Sequence, residues 1–139
     1  MRATDTFRSQ HAEIVEIVEA ISALLTEEKL ATQSREVSRL MARFSGKLKG
    51  HLLMEDKVLY PKLMAHSDPG VNNLANRYMK EMGGIAEAVG EYSERWKSAE
   101  LIEADVKAFI VETKRLFAVL AKRIKSEDEV LYPALDAVS

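Results

Sequence analysis

The sequence predicts an all-α protein, an up-down-up-down antiparallel four-helix bundle, and three observations lead there. Apolar residues recur every three or four positions through nearly the whole chain, the spacing of helices with one buried face. The interruptions are short, and short links between long amphipathic helices make consecutive helices antiparallel neighbours. Glycine and proline are scarce, 6 and 3 in 139 residues, while hydrophobic residues make up 47 %. Few helix breakers and ample apolar material suit one packed core. A single domain over residues 1–139 is the expectation, because no linker or low-complexity stretch divides the chain.

The first helix carries Phe7, His11, Ile14, Val18, Ile21 and Leu25 on one face, with Thr4 or Asp5 as its cap. A break near residues 29–34 comes next, and Ser34 is the expected cap of a second helix. That helix aligns Val37, Leu40, Phe44, Leu48, His51, Glu55, Val58 and Leu59. Ser67-Asp68-Pro69-Gly70 is a turn by its proline and glycine chemistry. The third helix aligns Leu74, Tyr78, Met82, Ile85, Val89, Tyr92 and Trp96. After a break near residues 98–100, the fourth aligns Val106, Phe109, Thr113, Leu116, Leu120, Arg123 or Ile124, Glu127 and Leu131.

Composition narrows the function. The net charge is −2 with no basic arm or stripe, which gives nucleic-acid binding no support. The absence of cysteine excludes disulfides, thiolate zinc sites, iron–sulfur clusters and cysteine nucleophiles together, and it fits a reducing cytoplasm, the expected location. Residues 1–8 are polar and lead into no apolar segment, so a secretory leader is not expected. No apolar run approaches the roughly 20 residues that span a bilayer, so no membrane partner is expected. No glycine-rich phosphate loop, nucleophile elbow or Ser–His pairing is present, and no catalytic residue is assigned.

The chain contains an internal echo. Glu55-Asp56-Lys57-Val58-Leu59-Tyr60-Pro61 recurs 72 residues later as Glu127-Asp128-Glu129-Val130-Leu131-Tyr132-Pro133, identical at six of seven positions. The first two helices thus form a half related to the last two. The echo also draws attention to charge on the apolar stripes. Glu55 follows His51 by four residues between Leu48 and Leu59, Glu127 precedes Leu131 by four, and His11 sits between Phe7 and Ile14.

Alone, each is ordinary: a core histidine is usually a hydrogen-bonded structural residue, and a Glu-Asp pair is usually a solvated face. Together they place two carboxylates and two imidazoles in one bundle core. A buried carboxylate without a partner costs several kcal/mol or takes up a proton. A cation offsets that cost, and imidazole with carboxylate suits iron, manganese or zinc. His66, beside Ser67-Asp68-Pro69, reads instead as a surface or capping residue. Tyr60 and Tyr132 read as buried rings whose hydroxyls meet polar neighbours.

His51-Leu52-Leu53-Met54-Glu55-Asp56, closing in Leu59-Tyr60-Pro61, resembles the second-helix motif of hemerythrin-like (HHE cation-binding) domains. His11, within Arg8-Ser9-Gln10-His11, is similar to their first-helix histidine, and the likeness extends over essentially the whole chain. The resemblance implies a four-helix bundle that holds non-heme iron through histidines and bridging carboxylates. Its functions are oxygen binding, iron or oxygen sensing, or the handling of iron or nitric oxide. By position His11, His51, Glu55 and Glu127 are the metal ligands it implies, with Asp128 the alternative to Glu127.

The second half departs from that pattern. Arg123 stands where the family has a histidine, and the repeat offset maps His11 onto Met82 or Gly83. A guanidinium has no lone pair to donate. An ordinary di-iron oxygen carrier is therefore not expected. Two readings remain. One is a single ion at His11, His51, Glu55 and Glu127: non-heme iron first, then manganese or zinc, in a protein sensing metal, oxygen or redox state. The other is a metal-free regulatory or interaction module in which Arg123 pairs with Glu55 and Glu127. The sequence names no protein partner; a homo-oligomer through Tyr78, Met79, Met82 or Trp96 is one conceivable use of helix three.

Overall fold

The computed structural model describes residues 2–138, apart from the side-chain surroundings of Met82, Gly83 and Val138. Four long helices carry the fold, and among the described residues there is no strand. They are α1 (Asp5–Ser22), α2 (Glu27–Met54), α4 (Pro69–Arg95) and α6 (Val106–Ser126). Three short helices complete them: α3 (Tyr60–Met64), α5 (Ala99–Ala104) and α7 (Tyr132–Val138). The expected all-α class stands. None of the described helices is long and apolar enough to cross a membrane.

Helix starts follow local chemistry, with two corrections. Thr4 sits at the N-cap position of α1, but its hydroxyl makes no cap bond; it donates to Asp136 Oδ2 at 2.8 Å and ties the chain start to α7. Asp5 spends its carboxylate on Arg2 at 3.0 Å. The start of α2 lies seven residues before the expected Ser34. Thr26 accepts from the Lys29 amide at 3.1 Å, and Glu27 and Glu28 complement the helix dipole in the first turn. Leu30 is fully buried, so this first turn has an apolar anchor of its own. What remains of the expected break is a kink at Gln33, with φ −121° and ψ 22°. Ser34 lies inside the helix and donates to Glu103 Oε1 at 2.5 Å.

The expected turn at Asp68 is present: its carboxylate accepts from the Gly70 amide at 2.8 Å, with Pro69 in the first turn of α4. His66 accepts from the Asp68 amide at 3.0 Å, the capping role its position suggested. Ser98 caps α5 and Asp105 caps α6, so the expected break near 98–100 is succeeded by one the periodicity did not show.

The two copies of the repeat take the same unusual conformation. Glu55–Leu59 and Glu127–Leu131 are single π-helical turns, with the Tyr60 amide bonding back to the Glu55 carbonyl and the Tyr132 amide to that of Glu127. The prolines give the cause. Pro61 and Pro133 lack an N–H and crowd the carbonyl four residues back, and a widened turn relieves both problems. The extra residue rotates the downstream turns about the helix axis. Val58, on the core stripe by α-helical spacing, is 54 % exposed, while Tyr60 is fully buried.

The interior has two apolar clusters. The larger includes Ile14, Leu48, Leu52, Phe117 and Leu120; the smaller includes Phe7, Leu59, Tyr60, Leu131 and Tyr132. In each chain segment a site residue lies where one cluster gives way to the other. His11 falls between Phe7 and Ile14, Glu55 between Leu52 and Leu59, and Glu127 between Leu120 and Leu131. Tyr78 and Trp96 are buried in these clusters, so the association patch considered on helix three, here α4, is not available as such; Met79 is exposed, and Met82 lies outside the described residues.

Candidate metal centre

A polar layer separates the two clusters, and it is buried. Glu55 is 0 % exposed, Glu127 1 %, His11 2 % and His51 3 %. Their candidate ligand atoms all lie within 4.8 Å of one another, so the four side chains could hold a metal ion. The structure thus brings together all four sequence-derived site residues. It also separates Glu127 from its alternative: Glu127 faces the layer, and Asp128 stands one step outside it, with its side chain 35 % exposed.

The hydrogen bonds at the back of each imidazole fix its orientation. His51 Nδ1 is 2.7 Å from Gln10 Oε1, and the Gln10 amide nitrogen turns to Met54 Sδ. An amide oxygen only accepts, so His51 Nδ1 carries the proton and donates. His11 Nδ1 is 2.9 Å from Asp128 Oδ1 and donates in the same way. Neutral rings with protonated Nδ1 present lone pairs at Nε2. Those two nitrogens face each other at 2.9 Å. His11 Nε2 is also 3.1 Å from Glu127 Oε1, and His51 Nε2 makes a still closer contact with Glu55 Oε1.

With neither carboxyl protonated and both rings neutral, these contacts are acceptor against acceptor. Both oxygens of Glu55 are buried without a hydrogen-bond partner. Burial pushes the Glu55 carboxyl above its usual range, although Glu127, His11, Tyr60 and Arg123 all pull the other way. Burial likewise lifts Glu127 to about 7; the His11 contact opposes this, while the facing Glu55 adds to it. Burial also pulls His11 down, but Glu127 and Asp128 outweigh it and the net shift is upward. His51 is held down at about 4 by burial and by its neighbour His11. A set of donor atoms that must either share protons or surround a cation is the chemical character of this layer.

Two tyrosines close it. Tyr60 donates to Glu127 Oε2 at 3.3 Å, and Tyr132 donates to His11 Nε2 at 3.1 Å with its ring stacked on the imidazole. Burial raises both phenols, with the nearby carboxylates adding to the effect, so each stays a neutral donor. A void of about 10 Å³ lies against His11, His51, Glu127, Arg123, Leu48 and Ile124. That is room for about one water-sized particle.

Arg123 does not do what the metal-free reading asked of it. Its Nη1 donates to Glu81 Oε2 and its Nη2 to the Tyr78 carbonyl, both at 2.7 Å, while the guanidinium lies 4.2 Å from the Tyr78 ring centre. Among the described residues its one ion pair is with Glu81, and its influence on Glu55 is a field without contact. The guanidinium has turned toward α4, where a backbone carbonyl and an aromatic face hold it. Met82 and Gly83, the positions mapped from His11, lie outside the described residues.

Gln10 and Glu81 are the participants the sequence did not reveal. Gln10 precedes His11 and serves a histidine on another helix, and no spacing rule shows that. The exposed position of Glu81 gave no signal at all.

The family model for the hemerythrin HHE cation binding domain matches residues 2–135. No curated protein matches the chain, and no solved structure does.

Proposed function

The chain belongs to the hemerythrin HHE cation-binding family, and on that premise we propose that it holds a single cation through His11, His51, Glu55 and Glu127 and uses it to sense metal, oxygen or redox state. One observation carries the reading: His11 Nε2 and His51 Nε2 face each other at 2.9 Å, and the carboxylates of Glu127 and Glu55 close on the same two nitrogens in a fully buried layer. A cation at that meeting point turns four mutually repelling acceptors into a ligand set.

The donor set of two imidazoles and two carboxylates suits non-heme iron, with manganese and zinc next. When bound, such an ion supplies Lewis acidity and, if iron or manganese, a one-electron couple. The protein's own part is orientation. Asp128 and Gln10 hold the two rings with Nε2 inward, and the apolar clusters above and below keep bulk water out. Tyr60 and Tyr132 offer neutral O–H donors at the edge of the layer. One ion is favoured over two because Arg123 replaces a donor in the second half and the void is small.

The metal-free reading finds less support, since Arg123 leaves Glu55 uncompensated by any direct contact. Elemental analysis of purified protein, alongside its visible absorption, tests the proposal. We expect near one equivalent of metal, reduced in His51→Ala. Two equivalents would overturn the single-ion assignment, and a well-folded protein that takes up no metal on reconstitution would overturn the whole reading.

A further inference from the structure

All four proposed ligands are buried, so a cation must cross a wall of the bundle to reach them. Along the bundle axis the apolar clusters lie to either side of the layer. On the α4 side stands the buried guanidinium of Arg123, which repels a cation. Beside α7, Asp128 is covered by Arg8, which donates to the Asp128 carbonyl at 3.3 Å and lies 5.4 Å from the Tyr132 ring centre.

The seam between α1 and α2 differs. A groove of about 340 Å³ runs along it, lined by Gln10, Gly46, Lys47, Gly50, His51 and Met54. Glu13 also lines it and pairs with Lys47 at 2.8 Å, so these two charges cancel. His51 lines the small internal void as well, with His11 and Glu127. One imidazole thus stands between the groove and the ligand layer, its Nε2 facing His11 and its Nδ1 facing Gln10.

Gly46 and Gly50 sit one turn apart on the face of α2 that carries Met54. A methyl group at either would meet no described atom within 4 Å outside its own stretch of helix. Packing does not call for glycine there, and glycine inside a helix is less stable than alanine. What the two glycines supply is clearance in front of His51.

From these facts we infer that the α1–α2 groove is the route by which a divalent cation enters and leaves, with His51 as its door and Gln10 as the latch. This rests on the cation reading above and adds a path to it. Gln10 Oε1 accepts from His51 Nδ1 at 2.7 Å, while Gln10 Nε2 donates to Met54 Sδ at 3.1 Å, a weak acceptor in an exposed place. Rotation of this one half-buried side chain frees the ring, and the space beside Gly46 and Gly50 receives it. His11 is held more firmly. Its ring is stacked on Tyr132 with centres 5.2 Å apart, whereas His51 meets Phe7 edge-on at 6.1 Å.

The test follows cobalt(II) chloride by stopped-flow visible absorption, as it enters the metal-stripped whole chain and as it leaves the loaded chain for excess EDTA. Gly46→Leu and Gly50→Leu fill the groove without replacing a ligand. Each should slow entry and exit roughly tenfold or more, with one equivalent of cobalt still bound at wild-type affinity. Gly90→Leu, the same exchange at an exposed position of α4, should change neither rate. Gln10→Ala should speed entry roughly threefold or more, and exit further still; a residue that only tunes the ligand alters exit alone. Wild-type entry rates in both groove variants, equal slowing in Gly90→Leu, or an unchanged entry rate in Gln10→Ala would each overturn the route. The Gln10→Ala comparison stands even if the groove variants do not fold. A wild-type chain that takes up no cobalt would overturn the cation reading and the route with it, whereas normal uptake with unmoved rates rejects the route alone.

Discussion

Tyr60 donates to Glu127 Oε2 at 3.3 Å, so the tyrosine of the first repeat caps the carboxylate of the second. The bond links the two halves through the layer that carries their charge. In the metal-free protein this hydroxyl gives that buried oxygen a hydrogen bond. Tyr60→Phe should therefore cost about 1–2 kcal/mol without metal, the usual penalty for stripping a partner from a buried acceptor. With metal bound, the cation attracts the same carboxylate and the loss should shrink. Urea unfolding with and without chelator reads the difference; an equal cost in both states would count against Glu127 as a ligand.

The supporting bonds behind the histidines carry the next prediction. Asp128→Ala and Gln10→Ala leave all four proposed ligands in place but release His11 Nδ1 or His51 Nδ1 from its acceptor. Loss of such outer partners typically weakens metal affinity by about 10–100-fold. Competition titration against a chelator of known affinity measures it. Asp128→Ala should have the larger effect, because a carboxylate polarises the ring more strongly than an amide.

Stability should depend on pH in a direction the site dictates. Glu127, lifted to about 7 mainly by burial, keeps a proton in the folded chain that the unfolded chain gives up near 4.5. Its contribution therefore falls as pH rises through that window, and Glu55 acts in the same sense. His11 is raised despite its burial, because Glu127 and Asp128 favour its charged form; it adds stability below 6.5 that is lost at higher pH. His51, held down at about 4, opposes them only between 4 and 6.5. Above 6.5 nothing in the layer offsets the decline. The melting temperature of metal-free protein should fall between pH 6.5 and 8, and metal affinity should rise over the same interval as protons leave the ligands. Calorimetry at several pH values checks both trends, and a metal-free melting temperature that climbs through that interval would contradict the assignment.

The sequence made the site legible because its residues break a rule: charge on an apolar stripe at helical spacing. His11, His51, Glu55 and Glu127 were each visible that way, and Tyr60 and Tyr132 through the echo. Val58 was misplaced because α-helical spacing was carried through a π turn; Pro61 was the available warning. Ser34 was mistaken for a cap because Thr26 lies within a stretch whose first apolar anchor, Leu30, is isolated in sequence. Arg123 was located correctly on the core side and given the wrong partners. A guanidinium on a stripe shows that it is buried, but whether it turns toward Glu55 or toward Glu81 depends on packing that a spacing pattern does not encode.

The contribution of Arg123 can be measured by substitution. Its fork is spent on the Tyr78 carbonyl and on Glu81, and its face lies over the Tyr78 ring. Arg123→Ala removes these interactions and the packed stem together, and should cost about 2–3 kcal/mol. Glu81→Ala should cost less than about 1 kcal/mol, because that carboxylate is half exposed and the pair is screened. Arg123→Met is the deciding variant. It keeps the stem against Tyr78 and deletes the charge, and exchanging a buried ionic group for an apolar one of similar volume is often nearly neutral. If the guanidinium acts mainly as packing between α4 and α6, Arg123→Met should be clearly milder than Arg123→Ala in metal-free protein. If instead the positive charge is what makes Glu55 and Glu127 tolerable, Met and Ala should be equally harmful, and added metal should rescue both.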